Sequence, residues 1–449
     1  MYRRRIVTLM LISLSLLLIP GALAARSVTV GNEIQVTTRG PMWEMAEAAD
    51  PSNANKLAIA SITGIASSPP QSQVFVSTDG GSTWSKTYAT SSSKGTGDPV
   101  IVACPEQSGH AVYLFGYLDQ YQYLHLVRST NDGSTWSAIW TSPHSIDHPR
   151  MAIDSSDPNG KVGLYIAGKN EGSYNLRMWY LTGACDSTPR YTEFGKAANI
   201  DALNSIVIYD DHVVQFFYED RPSPDGTGGN YRPYSVIKGT WSGTRPNAWL
   251  TLGSATTMFT QHNKVYNNNN GGQLDSEFVR APGSDKLYAT FVNWTNSRVA
   301  PWLELISSTN RGGTWSSPVH VDTPPSGYIA DGESELMINR AGIIGVSFMR
   351  AIKRLGSMGV FPCFSYDVFF TASSDGGATW STPSKLNSAS STPNCITFEG
   401  GSQVRWTGGD YTMGAADANG VFHPVWPDWR NGPRTPGSIY TRTVTGRAR

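Results

Sequence analysis

The sequence has no surplus of charge. Thirty-five basic residues face 35 acidic ones over 449 positions. A chain held to nucleic acid by phosphate contacts needs a basic excess, so the balance argues against that class of partner. Lys and Glu are sparse, as expected where helices are few. Beyond the N-terminus no apolar run approaches the ~18 residues of a membrane span. Cysteine is scarce: Cys104, Cys185, Cys363 and Cys395 are the whole complement. None forms a Cys-x-x-Cys pair and none has a His pair nearby, which makes a poor zinc signature. Four cysteines suit two disulfides in an oxidising compartment. They permit three pairings; Cys363–Cys395 and Cys104–Cys185 are favoured.

Turn formers and aromatics are abundant, with 45 Gly, 14 Trp and 20 Tyr. They are concentrated in a repeat. Ser77-Thr78-Asp79-Gly80-Gly81-Ser82-Thr83-Trp84 returns as Ser129-Thr130-Asn131-Asp132-Gly133-Ser134-Thr135-Trp136. It returns again as Ser308-Thr309-Asn310-Arg311-Gly312-Gly313-Thr314-Trp315 and as Ser373-Ser374-Asp375-Gly376-Gly377-Ala378-Thr379-Trp380. Each position suits a tight hairpin. Asp or Asn accepts hydrogen bonds from its own turn, and Gly supplies positive φ. Thr begins the returning strand, and Trp packs on a neighbouring strand. Copies start 52 residues apart at Ser77 and Ser129 and 65 apart at Ser308 and Ser373. The 179-residue gap between Ser129 and Ser308 is close to three periods of about 60, so two repeats with degraded boxes are expected inside it. Strand-rich repeats of this length predict an all-β chain folded as a β-propeller, whose ring protects its sheet edges.

The eight-residue pattern resembles the Asp-box of the sialidase-like, or BNR-repeat, β-propellers, over essentially the whole mature chain. The resemblance implies a box between the two outer strands of a blade, away from the functional face, with a structural role. It also implies action on extracellular glycans. True sialidases carry an Arg-Ile-Pro-type motif before the first blade, three clamping Arg, a Tyr/Glu nucleophile pair and an Asp acid. Here Arg39-Gly40-Pro41 stands in the motif's place and no Tyr/Glu pair is identifiable, so no sialidase catalytic residue is carried over.

Met1–Ala25 reads as a secretory signal, with Arg3-Arg4-Arg5, an apolar run from Ile6 to Ile19, and Ala22-Leu23-Ala24 at the cleavage point. The mature protein is expected to be a single propeller domain over 26–449, secreted or periplasmic, monomeric and without a membrane span. Seven blades can be laid down, starting near Trp43, Gly97, Asp147, Asp201, Asp275, Asp331 and Gly408; six is the second count. Blades three, four and seven lack a good box. Val28–Val36 is expected to close blade seven. Glu219–Pro233 and Asn267–Gly272 read as long loops.

Ligands of propellers usually sit at one mouth of the channel, where the inner strands begin. Asp98, Asp147, Asp201, Asp275, Asp331 and Asp410 fall at those entries, either tying down their own loops or facing glycan hydroxyls or a structural calcium; no cofactor is expected. Glycosidase chemistry needs two placed carboxyls, one with a raised pKa. Asp331, Glu333, Glu277 and Asp147 are the candidates. His148, beside Arg150, is the candidate base of a second reading, a uronate-polysaccharide lyase, which this layout also resembles. Arg221, Arg350 and Arg430 could clamp a carboxylate, with Trp429 beside them. A glycan- or protein-binding propeller without catalysis is the third reading.

Overall fold

The computed structural model describes residues 27–37, 42–65, 68–91, 97–155, 162–211, 213–221, 223–224, 230–242, 249–263, 277–293, 302–358, 361–393, 412–432 and 437–446. The described residues are all-β, without a helix, in sheets paired antiparallel except where Thr412–Met413 runs parallel to Met42–Ala49. Strands Met42–Ala49, Leu57–Ile65, Ser68–Ser77 and Ser85–Ala89 form the first meander. Gly97–Gln107, His110–Leu118 and Tyr123–Ser129 begin the next. The long strand Ser137–Asp154 pairs with Tyr123–Ser129 through its first half and with Gly163–Asn170 through its second. It thus runs from one meander into another, completed by Leu176–Thr182 and Arg190–Lys196. Ile200–Ile208, Val213–Asp220, Asn230–Ser242 and Trp249–Asn263 follow. Then come Phe278–Arg280, Leu287–Asn293, Trp302–Ser308 and Val319–His320, and Ala330–Ile338, Ile344–Met358, Phe361–Ser373 and Ser384–Lys385. The last strands borrow from the N-terminus: Val28–Val30 pairs with Val444–Gly446 and Ile34–Gln35 with Ser438–Thr441.

Apolar clusters lie between successive meanders. Ala58 and Val74 meet Tyr113 and Phe115; Leu114 and Leu126 meet Leu164 and Trp179; Tyr165 and Tyr180 meet Phe216. Phe217 and Tyr234 meet Phe278 and Ala289, Leu305 meets Val346 and Phe348, and Phe370 meets Phe422 and Trp426. Val425 and Ile439 then pack on Met45, Ile59 and Phe75 of the first meander. Because both faces of each sheet are covered, middle strands lose the alternating pattern: His110–Leu118 is buried at every position after the first.

The repeated turns share one hydrogen-bond plan. In the first, Ser77 Oγ donates to Asp79 Oδ1 (2.8 Å) and accepts from the N–H of Gly81 (2.9 Å). Asp79 accepts from the N–H of Thr83 (2.9 Å) and its hydroxyl (2.6 Å). Asp375 does the same with Thr379, whereas Asn131 and Asn310 turn an amide N–H toward the Thr hydroxyl. Gly81, Gly133, Gly312 and Gly377 have φ of 84°, 77°, 80° and 90°. Thr and Trp belong to the turn, because the returning strand of the first copy starts at Ser85. Each box Trp fills the seam with the preceding meander: Trp84 packs with Val425 and Ile439, Trp136 with Ala58 and Tyr88, Trp315 with Val207 and Tyr234, and Trp380 with Tyr288 and Leu305. Replacing Ser77, which is buried, by Ala leaves the Gly81 N–H without its acceptor. The expected cost is about 1–3 kcal/mol in denaturant unfolding.

One reading needs correction. Glu219–Pro233 is in part a hairpin, since Val213–Asp220 pairs with Asn230–Ser242 and Ser223–Pro224 adds a short strand. Cys104–Cys185 is a disulfide joining the second and third meanders; Cys395 and the side chain of Cys363 lie outside the described residues. Asn267–Gly272 and Arg39-Gly40-Pro41 also lie outside them, as does the signal segment.

Candidate functional site

First strands of successive meanders begin at the same end of the sheets, and three of them share an irregularity there. Glu44, Asp98 and His148 have φ of 46°, 47° and 49°. Each sits where its strand slips register against its partner, between Trp43 and Ala46, Gly97 and Val100, and Asp147 and Arg150. Such bulges re-aim side chains, and here they link neighbours. The N–H of Asp98 donates to Glu44 Oε2 (3.1 Å), and the N–H of His148 donates to Asp98 Oδ2 (2.9 Å). Farther round, the N–H of Phe278 donates to Ser205 Oγ (2.9 Å) and the N–H of Leu336 to Glu277 Oε2 (2.8 Å). Arg150 Nε donates to the carbonyl of Asn204 (2.9 Å).

The side chains gathered at this end carry both signs. Lys169 Nζ lies 2.5 Å from Asp147 Oδ2, and His148 Nε2 lies 3.8 Å from the same oxygen. Lys169 and Arg221 both face the ring of Tyr174, at 5.8 and 4.1 Å. Burial pushes the Asp147 carboxyl up, but the charges of His148 and Lys169 more than offset this and hold it below the usual carboxylate range. Glu277 goes the other way. Burial pushes it up to about 7, with the Leu336 N–H and the Arg150 charge pulling weakly down. The surroundings of these two carboxyls therefore favour opposite protonation states.

Deeper along the first strands is a second acidic group. Glu47 and Glu335 are buried, and among the described residues both Glu47 oxygens and Glu335 Oε1 lack a hydrogen-bond partner. Ser347 Oγ donates to Glu335 Oε2 (2.5 Å). Burial, with the neighbouring charge of Glu277, raises Glu335 to about 8. Burial, then Glu335 and Asp417, raises Glu47 well above the usual range. An acid raised by folding favours the native state while it is protonated. That contribution is full below the ordinary value of 4.5 and is lost as pH climbs toward about 8. Thermal stability should accordingly fall across that window, and Glu335→Gln should flatten the fall; a profile unchanged by the substitution would count against buried protonation.

Contacts join Asp98 to His148, and Asp147 to His148 and Lys169; Arg221 shares the Tyr174 ring with Lys169, and Glu277 feels the Arg150 charge. Asp201 is paired with Arg232 at 3.1 Å, while Arg232 also pairs with buried Glu219. Arg350 and Arg430, expected as free clamps, have their charges taken up by other carboxylates. Arg350 is buried, ion-paired with Asp322 and stacked 4.4 Å from the Phe369 ring. Arg430 binds Glu33 (2.7 Å) and Asp428 (2.8 Å) and covers Tyr440. Trp429 is buried, its backbone N–H donating to Ser391 Oγ. Asp275 and Asp410 lie outside the described residues. Asp331 and Glu333 lie on the strand Ala330–Ile338, with side chains outside the described set. Sequence reasoning passed over Lys169 and Tyr174, although they occupy the same second-to-third-strand turn that singled out Arg221. Glu335 was also missed; it lies two residues beyond Glu333 on the strand Ala330–Ile338.

No family model matches the chain, and no curated protein matches it. Among solved structures, a protein of unknown function from Dyadobacter fermentans superposes with a TM-score of 0.47 at 10% identity, over 94% of this chain and 99% of that one. An alpha-L-arabinofuranosidase from Fusarium graminearum in complex with arabinobiose gives 0.42 at 11%, over 72% and 93%. The Aleuria aurantia lectin in complex with Fucalpha1-6GlcNAc gives 0.38 at 12%, over 78% and 97%.

Proposed function

We propose that this chain is an exported, seven-bladed β-propeller of the sialidase-like, Asp-box type that hydrolyses extracellular glycans as an exo-glycosidase. Seven blades are supported by the cyclic order of the apolar clusters, which ends with Val425 and Ile439 against Met45 and Ile59. Export is supported by the signal-like N-terminus and by the Cys104–Cys185 disulfide. The function rests on one observation, two carboxyls in opposed surroundings: Asp147 is ion-paired with Lys169, whereas burial pushes Glu277 up to about 7. A glycosidase needs one carboxyl that keeps its proton near neutrality and one that stays ionised. Glu277 fills the first role, protonating the departing oxygen. Asp147, held anionic by Lys169 and His148, fills the second, as nucleophile or as base toward water. Arg150 and Arg221 offer forks to acidic or hydroxylated substituents, and Tyr174 offers a ring to a sugar face.

A lyase is the second reading, favoured by the position of His148 beside Lys169 and Arg150, cations that would neutralise a uronate. One assay separates the two. Acidic polysaccharides are incubated with the protein and followed in the ultraviolet, where unsaturated lyase products absorb, while chromogenic glycosides report hydrolysis. Release from the glycosides without new ultraviolet absorbance supports the proposal. Absorbance without release supports the lyase, and silence in both leaves a glycan-binding propeller.

A further inference from the structure

A second cavity lies at the other end of the strands. It has a volume of about 230 Å³ at the seam between the last strands and the first repeated turn, and Asn32, Gly81, Ser82, His423, Arg442 and Thr443 help to line it. The turn Ser77–Trp84 follows a third strand, whereas the carboxyl-bearing region lies where first strands begin, so the two sites occupy opposite ends. The backbone of the turn is already engaged: the N–H of Gly80 donates to the Asn55 carbonyl (3.0 Å) and that of Gly81 to Ser77 Oγ. Recognition here falls to side chains.

Two of them have unmet needs. His423 is 1% exposed. Its Nε2 lies 3.1 Å from Asp417 Oδ2. Burial raises the Asp417 carboxyl, but the bond from His423 and the N–H groups of Val421 and Asn419 more than offset it, so Asp417 stays ionised. Asp417 thus engages one ring nitrogen, Nε2, and among the described residues the other, Nδ1, has no partner. Gly81 lies against this nitrogen: a Cβ there would stand 3.5 Å from Nδ1. Arg442 donates through one terminal nitrogen to the Gly31 carbonyl (2.9 Å), while its Nε has no partner among the described residues. The nearby Glu33 is taken up by Arg430.

We infer that this cavity binds a small hydroxy acid of monosaccharide size, its carboxylate on Arg442 and a hydroxyl hydrogen-bonded to His423 Nδ1. A guanidinium matches a carboxylate, and a neighbouring hydroxyl, which both donates and accepts, meets the unpartnered ring nitrogen whichever way that nitrogen is protonated. The class includes sugar acids. The site is independent of the proposed hydrolysis at the opposite end.

The test is calorimetric titration of the whole protein with D-glucuronate, with D-glucose and inorganic sulfate as comparisons, supported by thermal shifts. Saturable glucuronate binding is expected, with at least tenfold weaker binding of glucose and of sulfate. Arg442→Gln should weaken glucuronate binding at least tenfold while the protein keeps its unfolding temperature, and Lys169→Gln, at the other end, should leave it unchanged. No saturable binding, or binding that survives Arg442→Gln, overturns the assignment. Loss on Lys169→Gln moves the ligand to the opposite end and overturns it equally. Sulfate binding as tightly as glucuronate overturns the hydroxyl contact with His423.

Discussion

Glu277→Gln is expected to lower turnover on a glycoside with a poor leaving group by about 10²–10⁴-fold, the usual contribution of a positioned general acid. The fold should survive. Glu277 is raised to about 7, so near neutrality the native protein already holds much of this side chain uncharged, and glutamine keeps an oxygen for the Leu336 N–H. Two readouts separate acid catalysis from a structural effect. With an aryl glycoside whose leaving group needs no proton, the deficit should shrink by an order of magnitude or more. The alkaline limb of the wild-type pH profile, which should fall as Glu277 loses its proton near 7, should vanish in the variant. An equal deficit for both leaving groups, or full activity, would remove Glu277 from the mechanism. Asp147→Asn should be as damaging for both substrates, since a nucleophile or base is needed whatever departs.

Removing the Cys104–Cys185 disulfide by paired substitution to Ala should be the largest single loss of stability. The bridge spans 81 residues of sequence, and a loop of that length corresponds to about 4–5 kcal/mol in the chain-entropy account. For a chain of this size that is a fall of about 5 °C in unfolding temperature, at about 2.1 cal/mol/K per residue. Both cysteines are buried in the cluster between the second and third meanders, so alanine also leaves small voids that add to the loss. Glycan turnover at moderate temperature should persist, because the bridge sits near Gln107, at the opposite end of the strand from Asp98. An unfolding temperature equal to wild type would show that packing alone holds this seam.

The sequence by itself determined the strand class and the repeat. Ser-x-Asp/Asn-x-Gly-x-Thr-Trp closes its hydrogen bonds within eight residues, so its geometry is local and legible: Ser77, Asp79, Gly81 and Thr83 satisfy one another whatever surrounds them. A polar residue followed by an apolar run marks Asp98, Asp147 and His148 in sequence, and each lies at a register irregularity, Asp147 and His148 inside the continuous strand Ser137–Asp154 rather than at its start. What those residues meet was decided by tertiary structure. Arg350 and Arg430 look like free cations in sequence, yet Asp322, 28 residues upstream, and Glu33, 397 residues away, absorb them. Charge pairing depends on distance in space, which no spacing records. The same holds for the raised acids. Nothing around Glu277, Glu335 or Glu47 in sequence distinguishes them from solvated glutamates. Their protons are kept because strands from remote parts of the chain enclose them and exclude water.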